Sequence, residues 1–374
     1  MVAVKKLTGL IIFILIVATV SALLFFYGRG YRIDFDDKQF KPTGVLTITS
    51  KPTNAKVFIN NEDKGNTNMD LSDLSPGKYT LTITKDGYST WEKEILIKKE
   101  EVNEIEVTLF PRTPSLTSIT FTGVNEVAIS PDGKKVVFLV QEKGQQGIWS
   151  LDLSRNTIPI FTSQALNKLI SDSEKINYSA AKLQISPDSK RVLIEIPGDT
   201  QAYFLLDLDS QNNSPNPLFI EEFQKTQDDW AKESLGEINS KIKGLGQEAI
   251  LGAAGLSNIT FSPDGDRFAG KNKNSNFVVF DSKPGPVPNT KEQIYTLPKA
   301  NKYVWFSDSK HLIGTKGENI FIVDVDGQNI VSIYSGAFDS KVISPWLDGS
   351  KILILANFNS ALNKLANFYA IELR

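Results

Sequence analysis

The feature that most restricts this chain is a turn that recurs five times in its C-terminal two thirds. It reads VAISPDGKKVVFLV from Val127, LQISPDSKRVLIEI from Leu183, ITFSPDGDRFAG from Ile259, VWFSDSKHLIGT from Val304 and VISPWLDGSKILIL from Val342. Each copy sets an apolar strand on either side of an aspartate, and a third apolar run ending near an acid follows: GIWSLDL, AYFLLDL, NFVVFD, NIFIVDV and NFYAIEL. A short fourth strand follows the first four copies, at 157–161, 217–220, 293–297 and 330–334. Asp132, Asp188, Asp264, Asp308 and Asp348 are 56, 76, 44 and 40 residues apart. Four-stranded units at this spacing imply a ring of sheets, a β-propeller.

The turn chemistry is structural. Proline sets φ at the corner, aspartate bonds to nearby backbone, and Gly133, Gly265 and Gly349 supply a positive φ. The five aspartates are therefore expected to build turns, not to catalyse. The fourth copy lacks the proline and has Ser309 in the glycine position; Trp346-Leu347 predicts a reshaped turn in the fifth. The fifth copy stops at its third strand, while 115–121 (SLTSITF) is an orphan strand ahead of the first. Joining the two closes the ring and covers an edge. The expectation is an all-β chain whose residues 115–374 form a five-bladed propeller, since the interval long enough for a sixth blade reads as helix.

That helix covers 226–244, with Thr226 as cap, Asp229 in the first turn, Trp230, Leu235, Ile238 and Ile242 on one stripe, and Gly244 or Gly246 at its end. A shorter helical insertion is expected at 163–175, around Leu166, Leu169 and Ile170. Each joins a fourth strand to the next first strand, which places both on the ring face opposite the aspartate turns. Trp230, Asp229 and Lys232 form the candidate partner surface. The repeat resembles the WD40-like or TolB-type propeller repeat, marked by an SPDG turn before an apolar strand. The resemblance covers 124–373 and implies architecture, not activity.

At the other end, 7–28 (LTGLIIFILIVATVSALLFFYG) carries no charge. A helix of that length spans roughly 33 Å at about 1.5 Å per residue, enough for a bilayer. The apolar run continues past the small residues 18–22, so an uncleaved signal-anchor fits better than a cleaved signal peptide. Lys5 and Lys6 precede the span and Arg29 and Arg32 follow it. The expected topology puts 1–6 in the cytoplasm and the bulk of the chain outside, after a tether at 29–42.

Residues 43–110 alternate with period two between turn signals, as expected of a small β-sandwich. GVLTITSKPTNAKVFINN at 44–61, Leu74, Pro76-Gly77-Lys78-Tyr79 and Gly87-Tyr88 resemble the PEGA domain. The tetrapeptide that names the family stands here as Pro52-Thr53-Asn54-Ala55, without its glycine. The resemblance implies an envelope-surface, non-enzymatic module. Tyr88 and Trp91 are expected to pack in its core rather than stack on a glycan.

Composition excludes much chemistry. The chain has no cysteine and a single histidine, His311, which rules out disulfides, thiol catalysis and cysteine-ligated zinc. His311, in SKHLIGT, is expected to be a surface or edge residue, not a base. Lys plus Arg is 41 against 43 Asp plus Glu, so no nucleic-acid partner is implied. The alternative, a propeller glycoside hydrolase, would need two carboxylates projecting from innermost strands into the axial channel, where only Glu126 is acidic, with Asp339 beside the last of those strands. DVDGQN at 324–329 looks like a calcium loop but lacks the downstream ligands, and a plain turn accounts for it. No catalytic, metal or cofactor-binding residues and no cofactor are expected. The function predicted is a membrane-anchored envelope protein that binds or scaffolds a protein or glycan partner.

Overall fold

The computed structural model describes residues 2–28, 31–34, 39–154, 166–198, 201–283, 293–358 and 365–374. Contacts divide the chain into two units, one reaching Phe110 and the other starting at Pro111.

In the first unit, α1 (Val2–Gly28) contains a stretch, Thr8–Gly28, of mean hydropathy 2.9 with no part buried. A run apolar on every face has no polar side to turn to water, which suits a bilayer and not a protein surface. β1 (Tyr31–Asp34) and β2 (Gln39–Pro42) pair as a hairpin within the segment expected to be a tether. Next come β3 (Gly44–Lys51), β4 (Lys56–Ile59), β5 (Glu62–Asn66), β6 (Met69–Leu74), β7 (Gly77–Thr84), β8 (Trp91–Ile97) and β9 (Val102–Thr108). They form a β6-β3-β9 sheet and a β5-β4-β7-β8 sheet. Alternate residues turn inward, among them Leu46, Ile48, Val57, Ile59, Leu81, Ile83, Ile95 and Ile97. Trp91 is buried in this core and Tyr88 packs against it, so neither is a free stacking platform.

The missing family glycine has a physical substitute. Asn54 takes φ +59°, a left-handed conformation that asparagine tolerates better than other non-glycine residues. The following Ala55 is fully buried and donates its N–H to Thr67 Oγ1 at 2.9 Å. Asn54→Gly should accordingly change stability by less than about 0.5 kcal/mol, while Asn54→Val should cost about 1–2 kcal/mol. Native-state hydrogen exchange at the Leu81 and Ile83 amides checks this; equal protection in both variants would contradict it.

The second unit begins with β10 (Leu116–Ser118), and its described residues form five sheets of four antiparallel strands. Sheet 1 is β11 (Asn125–Ile129), β12 (Lys135–Val140), β13 (Gly147–Asp152) and β14 (Leu166–Ser171). Sheet 2 is β15 (Lys182–Ile185), β16 (Arg191–Ile196), β17 (Ala202–Asp207) and β18 (Pro217–Leu218), followed by α2 (Ile220–Gly244) and α3 (Gln247–Ala253). Sheet 3 is β19 (Ser257–Phe261), β20 (Arg267–Lys271), β21 (Phe277–Asp281) and β22 (Ile294–Thr296). Sheet 4 is β23 (Lys302–Trp305), β24 (His311–Lys316), β25 (Asn319–Asp324) and β26 (Val331–Ser335). Sheet 5 is β27 (Ile343–Pro345), β28 (Lys351–Ala356) and β29 (Asn367–Glu372), with β10 as its fourth strand.

Two local expectations are corrected. Residues 166–171 are strand β14, not helix; the 157–161 strand lies outside the described residues. Leu166, Leu169 and Ile170 match a helical period, but a bulge opposite Ile148 and Trp149 turns the consecutive Leu169 and Ile170 both inward. The long helix starts at Ile220, where the Phe219 N–H donates to Glu222 Oε2 at 3.0 Å. Thr226 lies inside the helix and donates back to the Glu222 carbonyl at 2.7 Å, so it is not the cap. Glu221 and Glu222 in the first turn and Lys241 and Lys243 in the last complement the helix dipole.

Face-to-face packing orders the sheets. Val137 and Leu139 of sheet 1 share a core with Val192, Ile194 and Phe204 of sheet 2. Ala269 and Val279 of sheet 3 pack with Leu312 and Phe321 of sheet 4. Phe138 of sheet 1 packs with Leu353 and Phe368 of sheet 5, the two phenyl rings 5.0 Å apart edge-on. The remaining face of sheet 2, Leu193 and Tyr203, is covered by Phe223 and Trp230 of α2. The remaining face of sheet 3, Phe268 and Phe280, is covered by Ile242 of α2 and Ala249 of α3. The helices thus pack on strand faces, not merely across one end of the unit as expected.

Candidate functional site

The five recurring turns have one geometry. In every copy the aspartate carboxylate accepts the N–H two residues on, from Lys134, Lys190, Asp266, Lys310 and Ser350, at 2.9–3.1 Å. The residue after each aspartate has φ between +60° and +77°, whether it is Gly133, Ser189, Gly265, Ser309 or Gly349. The fifth turn is not reshaped: Trp346 N donates to Lys351 O and Gly349 N to Trp346 O, both at 2.9 Å, matching Ser130 with Lys135 and Gly133 in the first. The turn tolerates Trp346 because its backbone bonds need only the N–H and C=O of that position. In the first three copies a serine hydroxyl adds a further bond to the aspartate, from Ser130, Ser186 and Ser262. The Ser186 hydroxyl and the Lys190 N–H hold the Asp188 carboxyl below its ordinary value.

A second recurrence emerges from the strand register. The first residue of every second strand stands opposite the acid that ends the third strand: Lys135 and Asp152, Arg191 and Asp207, Arg267 and Asp281, His311 and Asp324, Lys351 and Glu372. Side chains close this rung directly in sheets 3, 4 and 5, at 2.9, 3.1 and 3.0 Å. Lys135 instead reaches the loop that follows β17, to the Leu208 carbonyl and Asp209.

His311 is therefore the fourth sheet's version of a repeated structural cation. It is 5% exposed, which corrects the expected surface or edge position. Its Nδ1 lies 2.7 Å from Asp308 Oδ2 and its Nε2 3.1 Å from Asp324 Oδ1. Burial alone depresses the imidazole pKa; the two carboxylates reverse this and push it up to about 10. Burial raises the Asp308 pKa, and His311 together with backbone N–H groups overcomes this and lowers it. An imidazolium ion-paired with a carboxylate at each ring nitrogen has no free lone pair with which to act as a base.

The other candidates for chemistry resolve similarly. Both Asp324 oxygens in the DVDGQN segment are engaged, Oδ1 by His311 and Oδ2 by Asn329 Nδ2 at 3.0 Å, in a turn around Gly327 at φ +84°. Among the described residues no group of three His, Cys, Asp or Glu side chains is placed to hold a metal. Glu126 is exposed on a bulge of β11 with φ +26°, and Asn258 occupies the same position of β19, also bulged, with φ +53°. The strain at Glu126 is thus part of the repeat. Asp339 accepts the Lys341 N–H at 2.9 Å and lies near Lys302, whose pKa burial lowers and Asp339 raises. Its ionic neighbour is an ammonium, not the second carboxylate that glycoside hydrolysis requires.

Of the candidate partner residues, Asp229 and Lys232 are exposed, whereas Trp230 is only 5% exposed and belongs to the core beside Tyr203 and Phe223. Leu235 leaves the expected stripe and is exposed, because five residues of helix carry it about 140° from Trp230. Phe223, which precedes the expected start, takes the inward position.

The units define a small β-sandwich and a set of propeller-type sheets. Residues 43–113 match the PEGA domain family. No curated protein matches the chain. The similar solved structures include TolB-type β-propellers. A putative TolB from Agrobacterium tumefaciens is 16% identical, covering 65% of this chain and 76% of that one, with a TM-score of 0.23. TolB from Acinetobacter baumannii is 12% identical, covering 79% of this chain and 59% of that one, with a TM-score of 0.24. An oligogalacturonate lyase in complex with manganese is 10% identical over 79% of this chain and 86% of that one, with a TM-score of 0.30. At these scores the neighbours decide nothing about activity.

Proposed function

We propose that this is a membrane-anchored extracytoplasmic protein that binds or scaffolds an envelope partner and is not an enzyme. α1 spans the bilayer with residues 1–6 in the cytoplasm. The five sheets are blades of one ring, closed where β10 completes the last blade, and α2 with α3 fills the wedge between blades 2 and 3. The outward side of α2, with Asp229 and Lys232, engages a protein or glycan of the envelope.

One observation carries this reading: all five turn aspartates are engaged by backbone N–H groups and the strand rungs close in sheets 3, 4 and 5, on a chain that also carries an exposed apolar helix. Buried charges need such partners simply to be tolerated, so their pairing indicates architecture before catalysis. A photo-crosslinker placed at Asp229 or Lys232 of the full chain in its native membranes should yield a discrete adduct, and one at Lys134 should not. Identical patterns from all three positions would exclude α2 as the partner surface.

A further inference from the structure

We propose that the β8–β9 turn of the sandwich, residues 98–101, sits among the phospholipid headgroups at the end of α1, held there by the β1–β2 hairpin and Tyr31. This rests on the anchoring of α1 proposed above and concerns the first unit alone. Residues 29–42, fully extended, would hold the sandwich up to about 50 Å from the membrane. The hairpin cancels that reach, because Pro42 returns to stand opposite Tyr31, about 5 Å away across the strand pair. The carbonyl of the next residue, Thr43, accepts the Glu100 N–H at 2.9 Å, and the Glu101 carbonyl accepts the Val45 N–H at 3.1 Å. The backbone thus brings the β8–β9 turn back beside Tyr31. The Tyr31 hydroxyl closes the circuit by donating to Glu100 Oε1 at 3.0 Å.

Tyr31 also fixes the depth. It stands three residues beyond α1, at most about 11 Å of chain. Its ring packs edge-on against Phe26 in the last turn of the span, with 5.3 Å between centroids. Tyrosine at that level suits the interfacial zone, where the ring meets hydrocarbon and the hydroxyl needs a polar partner. Glu100 is that partner, so the turn that carries it lies at the same level. One exposed hydrogen bond is too weak to seat a domain; the paired hairpin does so, and Tyr31 sets the angle. On the same turn Lys98 and Lys99 are exposed and supply ammonium groups for lipid phosphates, Lys98 sharing its charge with Glu101 3.4 Å away.

The absence of cysteine allows single labels. The full chain is reconstituted in phosphatidylcholine vesicles with a bimane on Val17→Cys, Lys99→Cys or Asp86→Cys. The nitroxide lipid is labelled on the acyl chain for Val17 and on the headgroup for the other two. β8 runs about 20 Å between the β7–β8 link, where Asp86 lies, and the β8–β9 turn. The headgroup layer is only roughly 5–8 Å deep, so quenching at Lys99 should exceed that at Asp86 at least about twofold. Tyr31→Phe combined with a flexible glycine-serine insertion of about twelve residues between Pro42 and Thr43 should bring the ratio to about one. Hydrogen exchange at Leu81 and Ile83 checks that the sandwich stays folded in that variant. Quenched Val17 with equal signals at Lys99 and Asp86 overturns the seating alone. A ratio that survives the insertion in a folded sandwich overturns the hairpin and Tyr31 as what holds the turn. An unquenched Val17 overturns the anchoring and the seating with it.

Discussion

Trp230→Ala is expected to destabilise the second unit by about 3–5 kcal/mol, the usual cost of deleting a buried indole. Lys232→Ala, two residues away and exposed, should stay within about 0.5 kcal/mol. Magnitude alone does not separate a wedge from an outlying cover, but the spread of the damage does. The Trp230 core includes Leu193 and Tyr203 of sheet 2, and the same helix continues into the core of Phe268 and Phe280 in sheet 3. Hydrogen exchange should accordingly accelerate in β17 and β20 as well as in α2. Acceleration confined to α2 would mean that the helices cover the ring without completing it.

The second large effect concerns His311. Its pKa lies above the ordinary 6.5, so the imidazolium contributes stability that is fully present below about pH 6.5 and is lost as pH rises toward about 10. His311→Ala leaves Asp308 and Asp324 facing each other without a cation, and should cost about 3–5 kcal/mol at pH 6. His311→Lys restores a cation like the one Lys351 supplies to Glu372 in the same position, so most of that loss should be recovered. A lysine ordinarily titrates near 10.4, which moves the alkaline decline upward. Thermal unfolding between pH 6 and 10 distinguishes the two: Tm should fall across the range in the wild type and stay nearly flat in His311→Lys. A wild-type Tm independent of pH would show that His311 is neutral when folded.

Some of this architecture was legible from residue types alone. The corner at Ser130-Pro131-Asp132-Gly133 declares itself because each residue has a local reason to be there. The buried stripe of α2 was visible in Trp230 and Ile242, yet an apolar stripe does not say whether it meets a sheet or a partner. Trp230 meets the sheet and not a partner. The rungs were hidden for a different reason. His311 and Asp324 are thirteen residues apart, and only the antiparallel register makes them opposites. A lone histidine therefore looked like a surface residue, although Lys135, Arg191, Arg267 and Lys351 at its repeat position were a signal that could have identified it. In the 166–171 strand one bulge imitates a helical period, which hides the strand from a pattern of residue types.

If the N-terminal span holds the β units outside the cytoplasm, a membrane-impermeant maleimide will reach them from outside the cell. In the cysteine-free chain, Ser210→Cys on an exposed loop after β17 should be labelled in spheroplasts, and Ala3→Cys only after the membrane is permeabilised. Labelling of Ala3→Cys in intact spheroplasts, with Ser210→Cys protected, would place the ring in the cytoplasm and contradict the account.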